Sequence, residues 1–377
     1  MQTVRCKQSQ IEQICSVFGI TGNYISCNQI DMGIINTTYA AKYIRDGADK
    51  AYIVQKVNTN VFKNPEQVMT NISAVTKHIH DKVKAAGLST RRYALKFFYT
   101  DEGKNYFIDE NGSFWRVSRF IDNSFAYNEK ANVDILRSAG CAFGTFRMRL
   151  NDFDASSLYE TIPDFHNTPK RIKALQDAIR LDPVSRVNSV SNEISYINSM
   201  SKKASILQNM LDAGELPLAV THNDTKMNNI LFDKDTCEAL AVIDLDTVMP
   251  GLCAHDFGDA VRFSCNTAAE DERDLSKVSI DKDMFRSFAE GYISQTSSVL
   301  TKNELDTMAL GAFTITLELA TRFLTDYING DKYFQIKNPL HNLERARCQL
   351  KLADVIDKNL EKMNIIIQNI ANKHMKI

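Results

Sequence analysis

Within the 377 residues, the run from Thr221 to Asp246, THNDTKMNNILFDKDTCEALAVIDLD, concentrates groups able to do chemistry. Asp224 and Asn229 stand on a polar bend, and Asp244 and Asp246 follow after a short hairpin. A loop carboxylate can orient and deprotonate an attacking hydroxyl, while a carboxamide and a later carboxylate hold Mg²⁺ against phosphate oxygens. That division of labour is the one phosphoryl transfer needs. Lys226, two residues past the first acid, has the reach and sign to neutralise a transferred phosphoryl, although a loop lysine also simply faces water. Asp and Asn equally serve solvated turns. Here the apolar runs LAV before the bend, and ILF and AVI after it, aim the loop ends at one cleft.

The octapeptide His222-Asn223-Asp224-Thr225-Lys226-Met227-Asn228-Asn229 resembles the HGDxxxxN catalytic loop of the aminoglycoside phosphotransferase and choline kinase superfamily, and Ile243-Asp244 resembles its metal-binding element. Within that superfamily, THNDTKMNNILFD, AVIDLDTVMPG and HDFGDAVRF are similar to the N-acetylhexosamine 1-kinases. The likeness runs from the first hairpin to the long helix after residue 304. It implies an α+β, bilobal, protein-kinase-like fold of the aminoglycoside phosphotransferase type, with a mixed or antiparallel sheet in the amino-terminal lobe and a mainly helical carboxyl-terminal lobe. It also implies ATP and Mg²⁺ as cofactors, and an N-acetylhexosamine (N-acetylglucosamine or N-acetylgalactosamine) phosphorylated at its anomeric 1-hydroxyl. Asp224 would be the base, Asn229 and Asp244 the metal ligands, and Lys226 the neutralising cation, with Asp224 and Asp244 bordering the sugar. Another small-molecule acceptor, whether a different sugar, an aminoglycoside or a choline-like alcohol, is the alternative.

Asn223 departs from the glycine common in the superfamily, but asparagine tolerates left-handed backbone. His222 reads as a hydrogen-bonded scaffold, since no partner His or Cys stands at zinc spacing. Asp246 is either a turn acceptor or a support for the site. Asp256, ahead of Phe-Gly-Asp, is expected to cap a helix and brace the catalytic loop.

On the nucleotide side, Lys56 matches the third-strand lysine that meets α and β phosphates in kinase-like folds. Glu66 either partners it or favours the amino terminus of its own helix. The first hairpin, DMGIINTTYAAKYI, takes the place of a phosphate-covering loop, where Gly33 and the hydroxyls of Thr37 and Thr38 are candidate contacts. Arg119, Ile121 and the chain to Asn123 fall where an interlobe hinge receives adenine. On the acceptor side, Arg322, on a strongly apolar helix, must face solvent or find an anion. The resemblance makes Arg322 and Tyr333 candidate sugar contacts, whereas Trp115, Phe125 and Tyr127 read as core or cleft-lip aromatics.

Several elements must position these groups. Segments 23–30, 36–44 and 50–57 alternate as antiparallel strands, and 64–86 carries Val68, Ile72, Val75, Ile79 and Val83 at helical spacing behind Pro65. Strand texture resumes at 93–99, 105–110 and 113–121, the last two joined by Asn111-Gly112. Helical periods then cover 129–149, 167–181 and 191–213. Short strands follow at 218–221, 230–233 and 238–246, then helices at 285–296 and 304–328 and a basic carboxyl-terminal pair beginning near 340. The expected division is a nucleotide lobe at 1–120 and a catalytic and acceptor lobe at 121–377.

Composition bounds the partners. Lys plus Arg number 45 against 46 Asp plus Glu, a formal charge of -1, so there is no surplus with which to hold a nucleic acid by counterion release. The eight cysteines are scattered without a CxxC pair and read as free thiols. No apolar stretch is long enough for a signal peptide or membrane span, so a cytoplasmic enzyme, monomer or weak homodimer, is expected.

Overall fold

A computed structural model describes residues 2–30, 35–127 and 132–374. Helix α1 (Gln2–Val17) precedes strands β1 (Asn23–Ile30), β2 (Thr37–Arg45) and β3 (Ala48–Val57). Helix α2 (Pro65–Ala85) and a single turn, α3 (Thr90–Tyr93), lead to β4 (Phe107–Ile108) and β5 (Phe114–Arg119). These strands form one five-stranded sheet, ordered β1-β2-β3-β5-β4, with every pairing antiparallel.

Strand alternation divides the sheet into two unlike faces. Tyr39, Ala41, Tyr43, Tyr52, Val54, Trp115 and Val117 pack with Ile11, Ile14 and Cys15 of α1 on the outer face. On the inner face Val57 and Phe114 pack with α2. That second core continues into the helical lobe through Phe146, Leu150, Val220, Leu245 and Val248. Asn71, 2% exposed on α2, fastens the same junction: its amide donates to the carbonyls of Tyr159 (2.8 Å) and Val248 (2.9 Å) and its oxygen accepts Tyr159 N–H at 2.9 Å.

Beyond β6 (Ser124–Ala126) the chain is mainly helical: α4 (Val133–Arg149), α5 (Thr168–Leu181), α6 (Ser191–Ala204) and α7 (Ile206–Asp212). Four short strands interrupt it, β7 (Ala219–Thr221), β8 (Ile230–Asp233), β9 (Ala239–Val242) and β10 (Met249–Gly251), before α8 (Cys253–Ser264), α9 (Lys282–Thr296), α10 (Lys302–Ile328) and α11 (His341–His374). Strands pair as β6-β8-β9 and β7-β10. Helices α8 and α10 meet backbone to backbone at glycines; a Cβ on Gly311 would lie 2.0 Å from the carbonyl oxygen of Ala254. This close approach sets α8 beneath the bend between β7 and β8.

The bilobal α+β architecture agrees with expectation, and four local readings are corrected. Helix α1 was not foreseen, although Ile11, Ile14 and Cys15 give it an apolar stripe. Segment 93–99 is no strand: its start is taken by the α3 turn, where the Arg119 guanidinium donates to the carbonyls of Thr90 and Ala94, and beyond it the chain touches β5 through one bridge, Phe97 to Ser118. The helix expected over 191–213 breaks at Ser205, whose hydroxyl turns back to the Ser201 carbonyl at 2.8 Å. The expected carboxyl-terminal pair is one helix of 34 residues. No helix among the described residues is long and apolar enough to cross a membrane, and the seven cysteines described are unpaired.

Candidate active site

The bend between β7 and β8 is held from below by two carboxylates of α8. Asp256 accepts the backbone N–H groups of His222 and Asn223, one on each oxygen, both at 2.7 Å. Asp259 accepts Thr225 N–H at 3.0 Å, and the Thr225 hydroxyl donates to the Asp256 carbonyl at 2.6 Å. Asp256 therefore braces the bend from inside the first turn of α8, which begins at Cys253, and does not cap it as expected. Burial raises the Asp256 pKa against the pull of His222 and the two N–H groups. For Asp259 burial pushes upward, but Arg262 and then Lys226 outweigh it and the carboxyl is lowered.

Asn223 takes a left-handed backbone, φ 63°. Its amide donates to the Thr247 carbonyl at 2.9 Å, and its oxygen accepts the Thr221 hydroxyl at 3.0 Å. His222 is fully buried between the rings of Phe143 and Phe146. Its Nε2 donates to the Ile243 carbonyl at 2.8 Å, which leaves Nδ1 to accept Asp224 N–H at 3.3 Å. The histidine thus ties the strand before Asp244 to the backbone of Asp224, a scaffold role.

Asp224, Lys226, Asn229 and Asp244 are brought together. The Lys226 ammonium lies 2.8 Å from Asp224 Oδ1, and Asn229 Nδ2 donates to Asp224 Oδ2 at 3.1 Å and to its carbonyl at 2.8 Å. Both Asp224 oxygens are held while the side chain stays part-exposed. Burial would lower the Lys226 pKa, but Asp224 and Asp259 outweigh it and raise it.

Asp244 ends the β9 segment in a left-handed conformation (φ 58°, ψ 59°), with its side chain open to the cleft. The surrounding protein still strips much of its solvation, and with the charges of Asp246 and Asp224 this pushes its pKa up to about 7. A cation beside it would relieve that strain. Asn229 spends its amide hydrogens on Asp224, leaving its amide oxygen, so the donors are hard oxygens, the set Mg²⁺ takes when phosphates and water complete its shell. Among the described residues no group of three or more His, Cys, Asp or Glu is placed to hold a metal alone.

The nucleotide-side expectations fare differently. Lys56 pairs in register with Trp115 and shares its outer face; the ammonium is exposed, 5.9 Å from the Trp115 ring centroid. Strand alternation therefore turns it away from the inner face. Thr37, opposite Lys56 in β2, points the same way, whereas Thr38 is buried on the inner face and accepts from Gln55 at 3.1 Å. Glu66 is exposed and faces the Tyr106 hydroxyl, whose pKa is raised by burial and then by this carboxylate; no ion pair joins it to Lys56 among the described residues. Arg119 holds the α3 turn, and Ile121 is buried with Leu240 and Ala241, its carbonyl accepting the Ser124 hydroxyl at 2.6 Å. Gly33 lies outside the described residues.

On α10, Arg322 stands over Phe165 and Phe334, its guanidinium 5.1 and 5.6 Å from their centroids. One turn earlier Glu318, 1% exposed, accepts the Thr168 hydroxyl at 2.7 Å and pairs with His166 at 2.9 Å. Tyr333 is 65% exposed on the following loop, which Asp326 anchors by accepting the N–H groups of Lys332, Tyr333 and Phe334 at 2.9 Å. Sequence reasoning missed Arg116. Buried on the inner face of β5, it ion-pairs with Asp246, and only strand parity could have shown that it, and not Lys56, faces inward.

Residues 26–278 match a family model described as the phosphotransferase enzyme family. Among solved structures, similar ones include an aminoglycoside phosphotransferase from Alicyclobacillus acidocaldarius (11% identity, TM-score 0.57, 95% of this chain and 96% of that one). A choline kinase from Cryptosporidium parvum matches at 14% identity and TM-score 0.56 over 97% and 98%. A spectinomycin phosphotransferase solved with ADP and spectinomycin matches at 13% and 0.54 over 94% and 98%. At these identities the likeness is one of fold.

Proposed function

Since the chain belongs to the phosphotransferase enzyme family, we propose that it moves the γ-phosphoryl of ATP onto an N-acetylhexosamine, through the sugar's anomeric 1-hydroxyl. Support for phosphoryl transfer comes from one arrangement. A part-exposed carboxylate, Asp224, is fixed by Lys226 and Asn229, with Asp244 presented to the same cleft. Asp224 takes the proton of the acceptor hydroxyl as it attacks. Lys226, hydrogen-bonded to that carboxylate, lies where it can follow charge onto the transferred group. Asn229 and Asp244 would hold Mg²⁺, which when bound neutralises phosphate charge.

The acceptor class rests on the resemblance of the catalytic segments and on the charged pair Glu318 and Arg322 of the largely apolar α10. A quaternary ammonium needs an open aromatic cage, yet the Phe165 and Phe334 rings already hold the Arg322 guanidinium. Arg322 and Tyr333 are the proposed sugar contacts. The proposed division is a nucleotide lobe at 1–120 and a catalytic and acceptor lobe at 121–377.

A coupled ADP-release assay against N-acetylglucosamine, N-acetylgalactosamine, glucose, galactose and choline, with phosphorus NMR of the product, tests this. Highest turnover on an N-acetylhexosamine with an anomeric phosphate is expected. Turnover confined to choline or to unmodified hexoses would reassign the acceptor.

A further inference from the structure

We propose that Arg116, acting through Asp246, is the positioning residue that sets the Asp244 loop against the root of the first hairpin. The inference rests on the nucleotide-cleft reading above. Gln55 and Arg116 are partners in register, as are Lys56 and Trp115, so adjacent residues of β3 and β5 serve opposite faces. On the inner face Arg116 Nε donates to Gln55 Oε1 at 2.9 Å, and Gln55 Nε2 donates to the Thr38 hydroxyl at 3.1 Å. The guanidinium plane is thereby fixed. Arg116 Nη1 then reaches Asp246 Oδ1, with the two side chains 2% and 3% exposed.

The second oxygen of Asp246 accepts Asn36 Nδ2 at 2.6 Å, and Asn36 Oδ1 in turn accepts Asn58 N–H at 2.9 Å. Both oxygens of an acid two residues beyond Asp244 are therefore spent on sheet-lobe donors, one from β5 and one from the chain entering β2. A buried ion pair gives little net stability, because desolvation offsets its Coulomb energy. What it supplies is geometry: a single arrangement of hairpin root, sheet and Asp244 loop satisfies all four groups. Asn36 stands just before β2, so placement of the start of β2 and placement of Asp244 are tied to each other.

The test uses the full chain, with Mg-ADP as the probe. For Asn36→Ala and Arg116→Lys we expect the Mg-ADP dissociation constant and the Mg²⁺ activation constant each to rise about tenfold, the loss of roughly one charge-assisted hydrogen bond. The acceptor KM should stay within about twofold. Asn36→Ala combined with Asp246→Asn should weaken Mg-ADP no further than the worse single change, because both act on one contact. Unchanged Mg-ADP and Mg²⁺ constants with only a lower Tm would make the network structural and overturn the proposal. If Arg116→Lys does not fold, Asn36→Ala, which strands no buried charge, decides alone. Mg-ADP binding needs no acceptor, so a wrong acceptor leaves this test intact, whereas wild-type protein that does not bind Mg-ADP refutes the function itself.

Discussion

Asp256 and Asn223 are joined by a 2.7 Å bond in which a buried carboxylate receives the N–H of a residue held at φ 63°. The left-handed turn that presents Asp224 is thus stabilised from the neighbouring helix α8. Asp256→Asn should replace one acceptor oxygen with a donor facing an N–H, costing about 1–3 kcal/mol. We expect a lower Tm and a lower kcat with acceptor KM little changed. Thermal melts with steady-state kinetics check this, and wild-type kcat would show that the bend holds its shape unaided.

Asp224→Asn keeps the hydrogen bond from Asn229 in reach but cannot take a proton. Its kcat should fall about 10²–10⁴-fold, the usual contribution of a general base, with Mg-ADP binding retained by calorimetry. Lys226→Ala should also lower kcat more than it raises either KM, since in the proposed role its charge acts only as the phosphoryl moves. Near-normal turnover in Asp224→Asn would remove the base from this position.

Asp244 supplies a pH test. Its folded pKa of about 7 lies above the ordinary 3.8, so the folded protein holds an extra proton between those values. Its contribution to stability is full below the ordinary carboxylate range and is lost as pH rises through about 7. The metal-free protein should lose Tm from pH 5 to 8 more steeply than Asp244→Asn does. Mg²⁺ with ADP should restore more Tm at pH 8 than at pH 5, because at low pH the proton competes with the metal. Scanning fluorimetry across pH measures both, and parallel slopes for wild type and Asp244→Asn would contradict the assignment.

Gly311→Ala tests the backbone contact behind the site. Its methyl would fall 2.0 Å from the Ala254 carbonyl oxygen, so α8 or α10 must move. Overpacking of this kind costs about 1–3 kcal/mol, and because α8 carries Asp256 and Asp259, kcat should fall along with Tm. A stability loss without a kinetic one would show that α8 shifts as a rigid unit with the bend.

The clustering of the bend was legible because it is local: Asp224, Lys226 and Asn229 lie within six residues, and the apolar strands on either side force them to one edge. Asp244 was found by the same logic, one hairpin away. The nucleotide side was not legible in that way. Lys56 and Gln55 differ by one position in a strand, and only the assembled sheet, with α1 over one face and α2 over the other, decides which of them looks inward. Arg116 is invisible for a related reason, since its partner Asp246 lies 130 residues away. Helix α1 was missed because its short apolar stripe, Ile11, Ile14 and Cys15, acquires its reason to fold only from the sheet beneath it.

The hydrophobic junction in which Val68, Ile72 and Val75 meet Phe146, Val220 and Val248 has a consequence for how the molecule comes apart. Helix α2 belongs to the sheet by sequence order and to the helical body by contact. Cutting the chain after β5 would leave that helix with a bare apolar flank and Asn71 with two lost carbonyl partners. Neither half should persist as an independent folding unit. The two lobes are therefore expected to melt together, and one calorimetric transition in place of two would show it.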